Sequence, residues 1–189
     1  MTTKDLILTE ARKVFEKFGF NKTSMADIAL AARKGRRTIY SYFTSKEEVF
    51  KAVIEVEIDA LANTLQELID SHLRADEKLR QYMQTRMNAV KMLTIYYDAI
   101  RRDLVENLAI IEMIRKKYDE MEMEMIRKIL DEGVSQNVFE IKDTQLVAGA
   151  IVLASKGFEL PLIMGQEGYD HSSMIEPLID VFYKGILKK

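Results

Sequence analysis

Apolar residues recur at three- and four-residue intervals along nearly the whole chain, and no stretch sustains the alternation that a strand needs. Two prolines and eight glycines in 189 residues leave few points at which that period is interrupted. The pattern therefore predicts an all-α fold of about nine helices. The short Met and Glu alternation from Met121 to Met125 does not change this. Both residue types favour helix, and Ile114, Tyr118, Met121, Met125 and Ile129 share one helical face.

The first helix is expected from Thr3 to Phe18, with Ile7, Ala11, Val14, Phe15 and Phe18 inward and Gly19 as its stop. A second, short helix starts after Thr23 or Ser24, either of which can cap it, and buries Met25, Ile28, Ala29 and Ala32. A third spans about 36–42. Ser45 and Glu48 have the spacing of a capping box, which opens a long helix to about Ile69 along Phe50, Ile54, Ile58, Leu61, Leu65 and Leu68. Beyond the polar break from Ser71 to Glu77, Leu79, Tyr82, Met83, Val90, Leu93 and Tyr97 form another helical face. Further helices are expected at about 101–112, 115–132, 143–164 and 173–187. Gly133 is expected to stop one of them, and Gly165 with Gly168 to open the loop before the last. Ser173 and Glu176 are spaced to cap that last helix, with Pro177 in its first turn.

Composition narrows the classes of function. The longest apolar run, Leu146 to Ala154, is well short of the roughly 20 residues that cross a bilayer, and the N-terminal residues are no signal peptide. A cytoplasmic protein with no membrane partner is expected. Cysteine is absent, so disulfides and thiolate metal sites are excluded, and two isolated histidines, His72 and His171, cannot build a zinc site between them. No histidine–carboxylate pairing, Glu-x-x-His spacing or glycine-rich phosphate loop is present. The expectation is a protein that is not an enzyme and holds no metal or cofactor.

Charge is unevenly distributed. The net charge is −2, yet residues 1–50 carry ten Lys/Arg against six Asp/Glu. Between Lys22 and Lys46, the basic Lys22, Arg33, Lys34, Arg36, Arg37 and Lys46 face only Asp27. Phosphate binding requires this sign and clustering, although a solvated face would show the same pattern.

Three helices in some forty residues, the last two short and tightly joined with basic residues between them, meet the requirement of a helix-turn-helix. The second helix of the pair lays its N-terminal end against base edges, and Arg36 and Arg37 stand at that end. Their planar forks suit guanine, and Thr38 can reach a base or a phosphate. Ile39 and Phe43, four apart, face inward and fix this helix to the first.

The run from Ile7 through Phe50 also resembles the N-terminal domain of TetR-family regulators. The resemblance rests on Ala11, Phe15, Phe18 and Gly19; on Thr23 and Ser24; on Ile28 and Ala29; on Ala31 and Ala32; on Ile39 and Tyr40; on Tyr42 and Phe43; and on Ser45 to Glu47. It implies a DNA-binding domain over 1–46 and an effector-binding and dimerisation domain over 47–189. It implies further that Thr23 and Ser24 offer a hydroxyl and free amides to phosphate, besides or instead of capping. Tyr40 and Tyr42 would touch phosphates through their hydroxyls, and Lys46 would bind phosphate at the mouth of the fourth helix. The chain departs from the family at the turn, where Arg33 replaces the expected glycine, Lys34 a small apolar residue and Arg37 a common glycine. A left-handed conformation is harder for arginine than for glycine, so Gly35 is expected to absorb the strain. All three changes add positive charge where DNA would lie.

The resemblance implies that residues 143–187 pair with a second copy of the chain. Their own pattern suits this: Leu146, Ala150, Leu153 and Gly157 form one stripe, and Ile175, Leu178, Ile179, Phe182 and Ile186 another. Two reading heads about 34 Å apart would then meet a palindromic operator in double-stranded DNA. Eleven methionines also suit a cavity for a small apolar effector, with Met83, Met87, Tyr97, Tyr118, Met121 and Met125 as lining, although such a stripe serves equally as plain core. Arg86 falls where an apolar residue is expected and needs an anion, either an internal Glu or Asp or the carboxylate of a ligand such as a fatty acid. The function expected is a repressor released by that ligand. The alternatives are a TetR-like activator, a DNA binder answering to a protein partner, and a helical lipid-binding protein.

Overall fold

A computed structural model describes residues 1–96, 108–164 and 171–187. These form eight helices: α1 (Thr3–Phe18), α2 (Met25–Ala31), α3 (Arg36–Tyr40), α4 (Lys46–Ile69), α5 (Ala75–Tyr96), α6 (Leu108–Ser135), α7 (Thr144–Met164) and α8 (His171–Ile186). Among the described residues the only β-type pairing is an isolated bridge between Phe139 and Leu187. The chain divides into two compact units, one of Met1–Ala60 with Leu93–Ile114 and one of Leu61–Met92 with Arg115–Lys189.

The first unit is organised by its caps and a small aromatic core. Thr2 and Asp5 form a reciprocal capping box on α1, and Gly19 ends the helix at φ 82° with its amide bonded to the Phe15 carbonyl. Ile7, Ala11, Val14 and Phe15 are buried as expected, together with Leu8. Phe18, expected inward, is half exposed instead, because the chain turns at Gly19 and Phe20 takes the interior place. There Phe15, Phe20 and Phe50 pack with ring centroids 5.1–5.9 Å apart, joining α1, the α1–α2 corner and α4. The start of α4 departs from the capping box read from sequence. The Ser45 hydroxyl accepts from the Glu48 amide at 3.2 Å, but the Glu48 carboxylate receives the amide and hydroxyl of Thr44, at 2.6 and 2.9 Å. Along α4, Val49 and Val53 join Phe50 in the core, while Ile54 and Ile58 are half-buried.

The second unit has its own core, in which Leu65 and Ile69 meet Leu79, Tyr82, Met83, Met125, Ile129, Leu130, Phe139, Ile151 and Ile179. The sequence pattern predicts two helices at 101–112 and 115–132. Instead α6 runs unbroken from Leu108 to Ser135, since nothing between Glu112 and Arg115 breaks a helix. Gly133 does not stop it. The helix continues to Ser135, and the chain leaves it through Asn137, in a left-handed conformation (φ 59°). Gly133 serves a different purpose: a Cβ there would lie 2.0 Å from the Phe139 ring, which folds back over it. Asp143 caps α7 through the Leu146 amide, at 2.9 Å. Helix α8 begins at His171, which puts Pro177 beyond the first turn rather than within it. Gly165, Gly168 and Tyr97 lie outside the described residues, as do the side chains of Val90, Leu93, Ser173 and Glu176.

Two outcomes follow. Gly133→Ala must displace Phe139 and should lower the chemical-denaturation midpoint, at a cost of about 1–3 kcal/mol; Gly133→Ala with Phe139→Ala should add less than the two single changes together. The second concerns acid. Asp5, Asp27 and Glu48 each receive an amide and a hydroxyl from a cap, which holds their carboxyls below the usual range. Their folded values lie below the unfolded ones, so their contribution is complete above about pH 5 and fades as pH falls through the lowered values. Helical circular dichroism followed on acidification should lose less in Asp27→Asn and Glu48→Gln variants, which have already given up this contribution.

Candidate nucleic-acid interface

The second and third helices are set by local chemistry that also decides which side chains face outward. Ser24 caps α2, its hydroxyl and amide donating to Asp27 at 2.6 and 2.8 Å, and it remains exposed. Thr23 is buried, with its hydroxyl donating to the Gly19 carbonyl at 2.6 Å. Of these two residues only Ser24 stands at the surface; Thr23 ties the α1–α2 corner.

Helix α2 closes with two bonds: Arg33 N–H to the Leu30 carbonyl at 3.1 Å, and Lys34 N–H to the Ala29 carbonyl at 3.0 Å. This is the Schellman closure, which requires a left-handed residue at the position of Arg33. Arg33 adopts it, with φ 51°. Gly35 does not absorb the strain as expected. Its φ is −64°, ordinary extended backbone at the start of α3.

On α3, Ile39 is wholly buried, and Phe43, just past its end, is buried beside it. Both enter the core of the first unit with Ile28, Ala29 and Ala32 of α2 and its C-cap. Held from beneath in this way, Arg36, Arg37, Tyr40 and Tyr42 are exposed, and Lys34 and Thr38 half-exposed. Asp27 is engaged by Ser24 and sits in the field of Arg36, which helps hold its carboxyl low. The surface is thus cationic and hydroxyl-bearing, on a rigid base.

Lys46 has a second task that the sequence did not suggest. Its ammonium donates to the Phe20 carbonyl at 2.9 Å and lies 4.3 Å from the centre of the Phe20 ring, fastening the start of α4 to the α1–α2 corner. One carbonyl uses one of three ammonium protons, leaving donors for an anion. Lys4, not singled out from sequence, lies 5.8 Å from the Phe43 ring centre. Such pairings cross from one helix to another and leave no periodic signal.

In the second unit, Met83, Met87, Tyr118 and Met125 are buried and Met121 is half-buried. The space between Leu79, Met83, Ile151, Ile179 and Tyr183 is about 10 Å³, room for one water. Arg86 has an internal partner. Its guanidinium forms a two-pronged pair with Glu122 of α6, with Nη2 2.8 Å from Oε2, and both side chains are largely shielded from water. The hydroxyl of Tyr82 lies 4.0 Å from the Met125 sulfur, and burial, with Glu122 nearby, makes it a weaker acid than usual. Lys156 pairs with Asp119, and the Ser155 hydroxyl is buried with no hydrogen-bond partner among the described residues.

On α7, Leu146, Ala150, Leu153 and Gly157 are all exposed, the two leucines at 72%. Leu146, Gly149, Ala150 and Leu153 line an open groove of about 510 Å³ with Met123 of α6. Ile179, assigned from sequence to the same outer face, is instead buried in the core, and Ile186 is half-buried. The side chains of Ile175, Leu178 and Phe182 lie outside the described residues.

Residues 7–53 match the family model of bacterial regulatory proteins, tetR family. The N-terminal segment, about a quarter of the chain, is thus similar to the helix-turn-helix segment of that family. An uncharacterised HTH-type transcriptional regulator of Bacillus subtilis, YhgD, is 22% identical over 77% of this chain and 76% of its own. A solved transcriptional regulator from Cytophaga hutchinsonii shares the fold with a TM-score of 0.83 at 22% identity, over 97% of this chain and 98% of that one. The fatty acid degradation regulator FadR from Bacillus halodurans superposes with a TM-score of 0.70 at 21% identity, over 98% of this chain and 96% of its own. The exposed α3 is the element that this geometry offers to a duplex, so Arg36→Ala and Arg37→Ala can be sorted by their effect on binding. A base contact should relax sequence preference at one position and cost about 1–3 kcal/mol; a phosphate contact should weaken all duplexes alike and lower the salt slope by about 1. Fluorescence anisotropy on a set of single-position duplex variants reads both.

Proposed function

We propose that the protein is a homodimeric repressor acting in the cytoplasm, which occupies a palindromic operator and leaves it when a small apolar or amphipathic molecule binds. Residues 1–46 read the DNA, and residues 47–189 bind the effector and pair through residues 143–187. The observation that carries this reading is α3, which offers Arg36, Arg37 and Tyr40 to the outside while Ile39 and Phe43 fix it from within. Thr38, Lys34, Tyr42, Ser24 and Lys46 complete the contact, with the phosphates taken by the tyrosines, Ser24 and Lys46. No described helix is long and apolar enough to cross a membrane.

The exposed stripe of α7 supports pairing, because two leucines at 72% exposure beside small residues form a surface on which a second helix can lie closely. The methionine-rich core of the second unit, with Met83, Met87, Met121 and Met125 beside Tyr118 and Arg86, supports an effector that opens space by moving flexible side chains. FadR is named for fatty acid degradation, and a fatty acid carboxylate could take the place of Glu122 on Arg86.

Selection from a random duplex pool at moderate salt should return one inverted repeat, bound as a dimer in sedimentation. Leu146→Glu with Leu153→Glu should yield a folded monomer with binding reduced at least about tenfold. Titrating long-chain fatty acids should release the selected duplex from the wild type. Failure to prefer any sequence over competitor DNA sinks the repressor reading.

A further inference from the structure

Helix α2 cannot end as it does unless residue 33 is left-handed. The bonds from Arg33 to Leu30 and from Lys34 to Ala29 fix that conformation, and Arg33 carries a φ of 51°. Glycine is the residue that meets this demand without a steric penalty, whereas a side chain crowds its Cβ against the following carbonyl. Nothing in the fold compensates for arginine. Its side chain is exposed, and among the described residues no hydrogen bond or ion pair engages the guanidinium. Strain of this sort persists where a residue does something that folding does not require.

The position indicates what that is. Arg33 stands at the turn into α3, next to Lys34 and three residues before Arg36, and the one acid in this stretch, Asp27, is bound to Ser24. We propose that Arg33 is a contact to the DNA backbone, its guanidinium gripping a phosphodiester oxygen pair, and that the turn bears a strained residue for that purpose. The proposal rests on the DNA-binding reading. A phosphate is favoured over a base edge because the side chain leaves from the turn ahead of the reading helix, where contacts orient the protein rather than read sequence. Arginine's planar fork matches a phosphodiester in two bonds and stays charged at any working pH.

The proposal gives opposite signs for two measurements on one variant. Arg33→Gly should fold more stably, with a higher denaturation midpoint, yet bind more weakly. The probes are the duplex that the wild type selects from a random pool and a scrambled duplex of the same composition, measured by anisotropy across a range of salt. Arg33→Gly should weaken binding to both by a similar factor, about fivefold to tenfold, and reduce the salt slope by about 0.9 per bound chain. Arg33→Lys should keep the wild-type midpoint and most of the slope. Arg127→Gln, which removes a half-exposed charge from the second unit, should leave slope and affinity as they are. Wild-type affinity and slope in Arg33→Gly would overturn the proposal, as would loss of preference at one base pair alone, which marks a base contact. A midpoint that does not rise removes the strain argument. A wild type that binds the selected and scrambled duplexes equally counts against the operator reading; the effect of Arg33→Gly on slope still decides the phosphate contact.

Discussion

The packing of Phe15, Phe20 and Phe50 is the contact on which the exposed cationic surface of α2 and α3 depends. The three rings bring together α1, the corner after it and the start of α4, and Lys46 fastens the same corner from outside through the Phe20 carbonyl and ring. With that frame fixed, α2 and α3 need only a few apolar contacts to be held in place: Ile28, Ala29, Ile39 and Phe43 are enough to bury their inner sides. Helices of seven and five residues have little stability of their own. Their orientation is therefore a property of the core beneath them, and the arginines above can be aimed because nothing about α3 is left to its own propensity.

What the sequence made legible was the chemistry that acts between near neighbours. Gly19 ends α1, Ser24 caps α2, and Ile39 with Phe43 turn inward, each fixed by residues within four positions. The same local reasoning failed where another residue competes. Phe18 loses the interior to Phe20, and Glu48 finds Thr44 before Ser45. Gly133 has the look of a helix stop, but its lack of a side chain answers to Phe139, which folds back against it. Ile179 shares a helical period with residues of the outer face, and only the position of α5 and α7 draws it into the core. The turn at Arg33 was legible as a conflict, although which residue would yield was not; the closing hydrogen bonds decide it.

Charges that the second unit covers meet their opposites on another helix or turn. Arg86 reaches Glu122, and Lys78, almost wholly covered, reaches Glu132, which in turn accepts from Gln136. Arg80 holds Asp180 of α8 at 2.7 Å and lies over the Tyr183 ring, whose hydroxyl is pushed up to about 12 by burial and by Asp76 beside it. Such pairs add little net stability over well-packed apolar residues, but losing one partner is expensive, so they select one register of helix against helix. Arg86 was visible as an anomaly on an apolar face. Its partner was not, because it lies 36 residues away on a helix whose own face reads as core and solvent alike.

The tail of α8 is clasped by main-chain bonds. Glu140 donates its amide to the Ile186 carbonyl at 2.9 Å, and Phe139 and Leu187 form an isolated bridge, so this helix is tied to the segment that follows α6. An outlying helix is the kind of segment most readily traded between copies of a protein, since only one connection must open. Trading α8 would require the clasp and the Arg80–Asp180 pair to open together before they could re-form between copies. The clasp is thereby a barrier that any exchange of the last helix between copies would first have to cross.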